Sequence, residues 1–195
     1  MRAPSKIEFE RVAVVGSSCS GKTTLARTLS TLLDAPHLEL DALHWKADWK
    51  PRSAPEFYHL VEQAVSADRW IADGNYGSVR DLVWSRATAV VWLNYPFGLV
   101  FPRALSRTLR RAVNREELYS GNRESLGKVF FSRDSILLWV ITSFRRRRKE
   151  YAELRASGRF PEIHFWELRR PSEGSAFLSQ VKAAAQQDEM RRPAS

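Results

Sequence analysis

The sequence is poor in cysteine, in long apolar runs and in acid. Cys19 is the single cysteine of 195 residues, so no internal disulfide can form and a disulfide-stapled secreted scaffold is excluded. The longest unbroken apolar stretch, residues 136–141 (ILLWVI), falls far short of the ~20 residues that carry a helix across a bilayer. The first ten residues, MRAPSKIEFE, are polar and lack the apolar core of a secretory signal. Repeats and low-complexity blocks are missing too. A soluble, cytoplasmic protein with no membrane partner is therefore expected. Acid is scarce: 22 Asp and Glu stand against 31 Lys and Arg, for a net charge of +9. Residues 103–149 hold thirteen Lys/Arg and four Asp/Glu, a local excess as large as that of the whole chain. Such a concentration suits an anionic partner, either the phosphates of a small substrate or a nucleic-acid backbone. A solvated basic face is the plainer alternative.

What is present is the material of a globule. Hydrophobic residues make up 44% and aromatics 11%, with seven Trp, and the length suits one domain spanning 1–195. Residues 1–5 and 186–195 are polar, unpatterned and expected to fray. Residues 11–15 (RVAVV) predict a β-branched strand, and Leu25, Leu29, Leu32 and Leu33 predict a helix from 21 to 33. Further strands are expected at 37–40, 70–72, 87–93 and 162–168. Helices are expected at 55–67 and 175–185, with two long basic pieces divided at Gly121-Asn122. Strands alternating with helices predict an α/β, three-layer domain with about five parallel strands.

Between the first strand and its helix lies Gly16-Ser17-Ser18-Cys19-Ser20-Gly21-Lys22-Thr23, followed by Thr24. This matches G-x-x-x-x-G-K-[ST], in which successive backbone N–H groups wrap an anion at a helix N-terminus. Lys22 is expected to reach the β- and γ-phosphates of ATP, and the Thr23 hydroxyl to ligate Mg²⁺. No G-x-G-x-x-G follows the strand, so a dinucleotide site is not expected.

In parallel sheets ligands collect at the carboxyl ends of the strands. Asp41 follows HLEL and Asp73 follows WIA. Asp73 is placed to hold Mg²⁺ directly or through water, and Asp41 to orient an acceptor hydroxyl or take its proton. Either could instead cap a helix or close a turn. His44, Trp45 and Trp49 follow the first acid, and Asn75 and Tyr76 the second. Such side chains can stack on and orient an acceptor. Farther on, Arg103, Arg107, Arg110 and Arg111 share one helical stripe, while Phe101, Leu105, Leu109 and Val113 form another. Residues 101–157 read as a helical, basic, lid-like arm that closes over phosphates and excludes water. The block Arg145–Lys149 reads as a solvated or anion-attracting surface rather than a catalytic set.

These stretches together resemble the adenylate kinase-related P-loop small-molecule kinases, and most of all the bacterial DNA topology modulation (FlaR-like) group. The resemblance rests on GSSCSGKTT, LDALHW (40–45), DGNY (73–76), VVWLNYP (90–96), the arginine stripe and SGNRE (120–124). It implies a P-loop kinase fold with an ATP core, an acceptor region after the second strand and an arginine-rich lid. Arg107, Arg111 and Arg123 would then stabilise the transition state beside Lys22. DGNY stands where adenylate kinases carry D-G-F-P-R. The match stops at the arginine that holds the acceptor's phosphate: Gly77 stands there, and the nearest arginine is Arg80. The expected activity is Mg-ATP-dependent phosphoryl transfer to a small molecule or nucleotide. Alternatives are a nucleotide-gated DNA-binding regulator, which would bind nucleic acid non-specifically through the basic arm, and an ATPase or ATP-binding module without an acceptor.

Overall fold

The computed structural model describes residues 6–114 and 136–191. Five strands form one fully parallel sheet: β1 (Arg11–Gly16), β2 (His37–Glu39), β3 (Trp70–Asp73), β4 (Ala89–Leu93) and β5 (His164–Leu168). Their spatial order is β2-β3-β1-β4-β5, so the strand leading into the glycine loop is central. Val14 lies in register with Asp73 on one side and Val91 on the other.

Alternation along these strands fills two cores, because successive side chains leave opposite faces of a sheet. Val12, Val14, Val91 and Leu93 face one core, shared with α1 (Lys22–Leu33), α5 (Phe97–Asn114) and α7 (Pro171–Arg191). Ala13, Val15, Val90 and Trp92 face the other, built with α3 (Ala54–Ala64) and α4 (Gly77–Trp84). Helix α6 (Ile136–Ala156) serves both, placing Phe144 in the first and Tyr151 in the second. The protein is thus a three-layer α/β fold of the P-loop type, as expected.

Several boundaries differ from the sequence reading. The second strand stops at Glu39, and Leu40–His44 forms a one-turn helix, α2, with Asp41 in its first turn. Helix α4 lies outside the expected elements: GSVRDLVW is short, half of its residues are apolar, and its helical face shows in the burial of Val79, Val83 and Trp84. The last helix starts earlier and runs to Arg191, because Pro171 occupies its first turn, where no N–H is needed, and Phe177, Val181, Ala184 and Ala185 pack inward. Helix α5 starts at Phe97 and carries Pro102 inside it. Its buried line is Val100, Ala104 and Thr108, one residue off the expected apolar stripe, leaving Leu109 exposed. Small residues let the helix sit close to its neighbours, which the large apolar residues of the expected stripe would prevent. Among the described residues no helix is long and apolar enough to cross a membrane.

Candidate active site

The phosphate loop follows directly from β1. Gly16 takes φ 146°, and a β-carbon there would stand 2.7 Å from the Leu93 carbonyl oxygen, so only glycine fits. The loop folds back through Ser20 N–H to Ser17 O at 3.2 Å. Cys19 holds φ 65°, a conformation that glycine adopts at less cost. Gly21 caps α1 with φ 97°, and no acidic side chain occupies the first turn. The orphan N–H groups there keep their attraction for an anion. Ser17, Ser18, Thr23 and Thr24 line the loop and the start of α1, and the Lys22 ammonium donates to Ser17 O at 3.0 Å.

Four charged groups converge on that ammonium. Desolvation lowers the Lys22 pKa most strongly; the Asp41 and Asp73 carboxylates raise it, and the Arg147 and Arg107 guanidiniums lower it. Lys22 thus lies within electrostatic reach of both strand-end acids and of one arginine from α5 and one from α6. Arg123 and the side chain of Arg111 lie outside the described residues, as do the SGNRE stretch and the Gly121-Asn122 division.

Buried polar atoms here without a hydrogen-bond partner include Ser20 Oγ, His37 Nε2, Asp73 Oδ2 and Arg107 Nε. Orphaned groups of this kind are costly and ask for an explanation. A phosphate supplies acceptors to the serine and arginine, and a hydrated cation supplies donors to the carboxylate. The residues therefore fit Mg-nucleotide: Thr23 and Asp73 are the candidate metal-side groups. Mg²⁺ keeps most of its waters and needs few protein ligands, so a denser acidic cluster is unnecessary. His37, which the sequence reading did not single out, lies with Nε2 3.5 Å from Asp73 Oδ2.

On the acceptor side, the Tyr76 hydroxyl donates to Asp41 Oδ1 at 2.6 Å. His44 sits against Trp45, Phe57 and Tyr76, with ring centroids 4.6 to 4.9 Å apart. Burial lowers its pKa, and the Asp41 carboxylate opposes that shift. Trp45 in turn meets Trp49 edge-on at 5.7 Å. Asp41, Trp45 and Tyr76 thus share one aromatic-walled corner.

Asn75 is engaged elsewhere. Its Nδ2 donates to Gly16 O at 2.5 Å, while its Oδ1 accepts from Gly16 N–H at 3.3 Å and from the Tyr151 hydroxyl at 2.7 Å. Arg147 Nη1 also donates to the Asn75 carbonyl oxygen at 3.2 Å. One side chain therefore ties β1, the turn after β3 and α6 together. Tyr151 is stacked on Trp84 and its hydroxyl pKa is pushed up to about 12, chiefly by burial. It enters this network as the neutral phenol.

Within 145–149, expected to be a solvated or anion-attracting surface, Arg147 stands apart. Arg145, Arg146 and Arg148 are exposed, but Arg147 is half-buried on the face that carries Phe144 and Tyr151. Helical spacing from those two aromatics was the available signal, and the unbroken run of arginines concealed it.

No protein-family model and no curated protein matches the chain. Solved structures with a similar arrangement include a gluconokinase from Sinorhizobium meliloti 1021, at 15% identity and TM-score 0.48, covering 96% of this chain and 94% of that one. A shikimate kinase from Bacteroides thetaiotaomicron is similar at 14% identity and TM-score 0.49, with 92% and 96% covered. A sugar kinase from Janibacter sp. HTCC2649 is similar at 16% identity and TM-score 0.48, with 91% and 97% covered. These likenesses concern the arrangement of strands and helices. The fold assignment itself stands on the sheet order and the phosphate loop.

Proposed function

We propose that the protein is an ATP-dependent phosphotransferase acting on a small molecule, nearest in kind to the adenylate kinase-related P-loop kinases. The observation that carries this reading is the placement of Asp73 at the end of β3 beside the phosphate loop and of Asp41, held by the Tyr76 hydroxyl, just after β2, with both carboxylates in electrostatic reach of the Lys22 ammonium. An ATP-binding module needs the loop and Lys22. It does not need a second carboxylate, held by a tyrosine, on the open side of the phosphates.

The loop amides and Lys22 would hold the β- and γ-phosphates, with Arg107 and Arg147 meeting charge that develops on the transferring group. Thr23 and Asp73 would hold Mg²⁺, which when bound neutralises phosphate charge and aligns the donor. Asp41, oriented by Tyr76, would take the proton of the acceptor hydroxyl. The acceptor oxygen–phosphorus bond forms as the bond between the γ-phosphorus and the β–γ bridging oxygen breaks, and ADP leaves. Asn75 would act on the scaffold rather than on the acceptor. A reducing cytoplasmic setting, in which the Cys19 thiol stays reduced, belongs to the same reading.

ADP release across a panel of hydroxy compounds tests the proposal. Acceptor-stimulated turnover that is lost in Asp41→Asn, with binding of a non-hydrolysable ATP analogue retained, is the expected result. Slow ATP hydrolysis untouched by any acceptor would return the protein to the class of bare ATPases. Salt-sensitive duplex DNA binding gated by nucleotide would favour the regulatory alternative.

A further inference from the structure

Arg27, Glu39, His37 and Asp73 form a file of side chains between helix α1 and the end of β3. Leu38 packs on the sheet face that carries α3 and α4, so His37 and Glu39, its neighbours in the strand, turn to the face under α1. Asp73 shares that face, two residues on from Ile71 in the first core. Parallel pairing sets Glu39 opposite Asp73 and His37 opposite Ile71. The imidazole therefore reaches diagonally forward to the carboxylate, with Nε2 3.5 Å from Asp73 Oδ2.

That approach is incomplete. His37 Nε2 and Asp73 Oδ2 are both buried, and neither has a hydrogen-bond partner. Their side chains are only 13% and 4% exposed, which leaves solvent little access to serve either atom. A donor and an acceptor thus face each other with one bond still to be made. The other ring nitrogen faces Glu39, with Nδ1 3.7 Å from Oε1. Glu39 is itself fixed by Arg27, whose Nη2 donates to the same oxygen at 2.6 Å. Arg27 follows Thr23 by four residues on α1, so the two share a helix face. The file starts on the helix that carries one candidate metal-side group and ends on the other.

We propose that His37 is a positioning residue for the metal side of the site: its Nε2–H holds Asp73 Oδ2 when Mg-nucleotide is bound, and Glu39 with Arg27 steadies the imidazole. The proposal rests on the reading that Asp73 serves the cation, and on no other part of the kinase assignment. An aspartate turns about two side-chain bonds, and a hydrogen bond to one oxygen fixes the whole carboxylate plane. The carboxylate keeps acceptor capacity to spare, since it has about four lone-pair sites. Carboxylates that serve metals are commonly held by such outer partners. The role requires only the Nε2 proton, which the neutral Nε2–H tautomer and the imidazolium both carry. It does not turn on the charge of the ring.

Calorimetry with a non-hydrolysable ATP analogue, in EDTA and across a Mg²⁺ series, tests it. The quantity read is the factor by which Mg²⁺ tightens analogue binding. His37→Asn, whose amide nitrogen stands near the place of Nδ1 and falls short of Asp73, should reduce that factor by about 10- to 100-fold, the loss typical of an outer partner. His37→Gln, whose amide nitrogen reaches the place of Nε2, should restore most of it. Both variants should bind the metal-free analogue as the wild type does, which separates positioning from damage to the fold. Added to Asp73→Asn, His37→Asn should cause no further loss, because both act through one carboxylate. An unchanged factor in His37→Asn, equal losses in the Asn and Gln variants, or a full additional loss in the double variant would overturn the proposal. Weakened metal-free binding in both variants would do so too, by making His37 a structural residue. A factor untouched by Asp73→Asn, or no analogue binding by the wild type, would remove the cation from Asp73 and overturn the proposal with that part of the functional reading. No acceptor enters the measurement, so absence of acceptor-stimulated turnover would overturn the kinase reading and leave a positive result here standing.

Discussion

The proposed donor and acceptor halves of this site are built in opposite ways. The donor half is nine consecutive residues, Gly16–Thr24, running from the last residue of β1 into the first turn of α1, and it would meet phosphate mostly through backbone N–H groups. The acceptor half would draw Asp41 from α2, Tyr76 from the turn after β3 and Arg147 from α6, with Asn75 as their scaffold. A site made of backbone accepts Ser17, Ser18 or even Cys19 at its variable positions, provided the glycines allow the turn. A site made of side chains from remote segments exists only if the packing beneath it is right. Asn75 is where the halves meet, since its amide holds Gly16 while its carbonyl receives Arg147.

The sharpest way to break the donor half alone is Lys22→Ala. Turnover should fall by about 10²- to 10³-fold, the scale of losing one preorganised charge at the transferring group, while thermal unfolding stays near that of the wild type. Asn75→Ala should injure both halves at once. It leaves the Gly16 N–H and carbonyl without partners, at about 1–3 kcal/mol each if no water replaces the amide, which denaturant unfolding would read. A loss confined to acceptor binding, with stability intact, would mean that Asn75 contacts substrate instead. Tyr76→Phe should touch only the acceptor half: kcat should drop about tenfold on losing one hydrogen bond to a carboxylate, with ATP-analogue affinity unchanged. The smallest effect is expected from Cys19→Gly. Relief of the positive φ should raise the unfolding free energy by at most about 1 kcal/mol, reduced by the glycine's greater chain entropy and by lost packing of the thiol against the core.

The same contrast explains how much could be read beforehand. The G-x-x-x-x-G-K-T loop, the strand before it and the helix after it are local, and local hydrophobic period and turn chemistry specify them. Asp41 and Asp73 could be placed because strand ends in a parallel sheet are where ligands gather. Helix α4 was invisible because eight residues make too short a window for periodicity. Arg147 was hidden among identical neighbours, and His37 beside Asp73 follows from pairing of β2 with β3 rather than from any motif.

The sequence by itself determined a parallel α/β domain with a phosphate loop and two acids at strand ends, because those features depend on residues within a few positions of one another. The tertiary structure added Arg147 to Arg107, which the sequence had already named: Arg147 is drawn toward Lys22 on the helix whose Tyr151 packs on Trp84. That packing joins segments far apart in the chain, and burial between them is not written in any local run of residues.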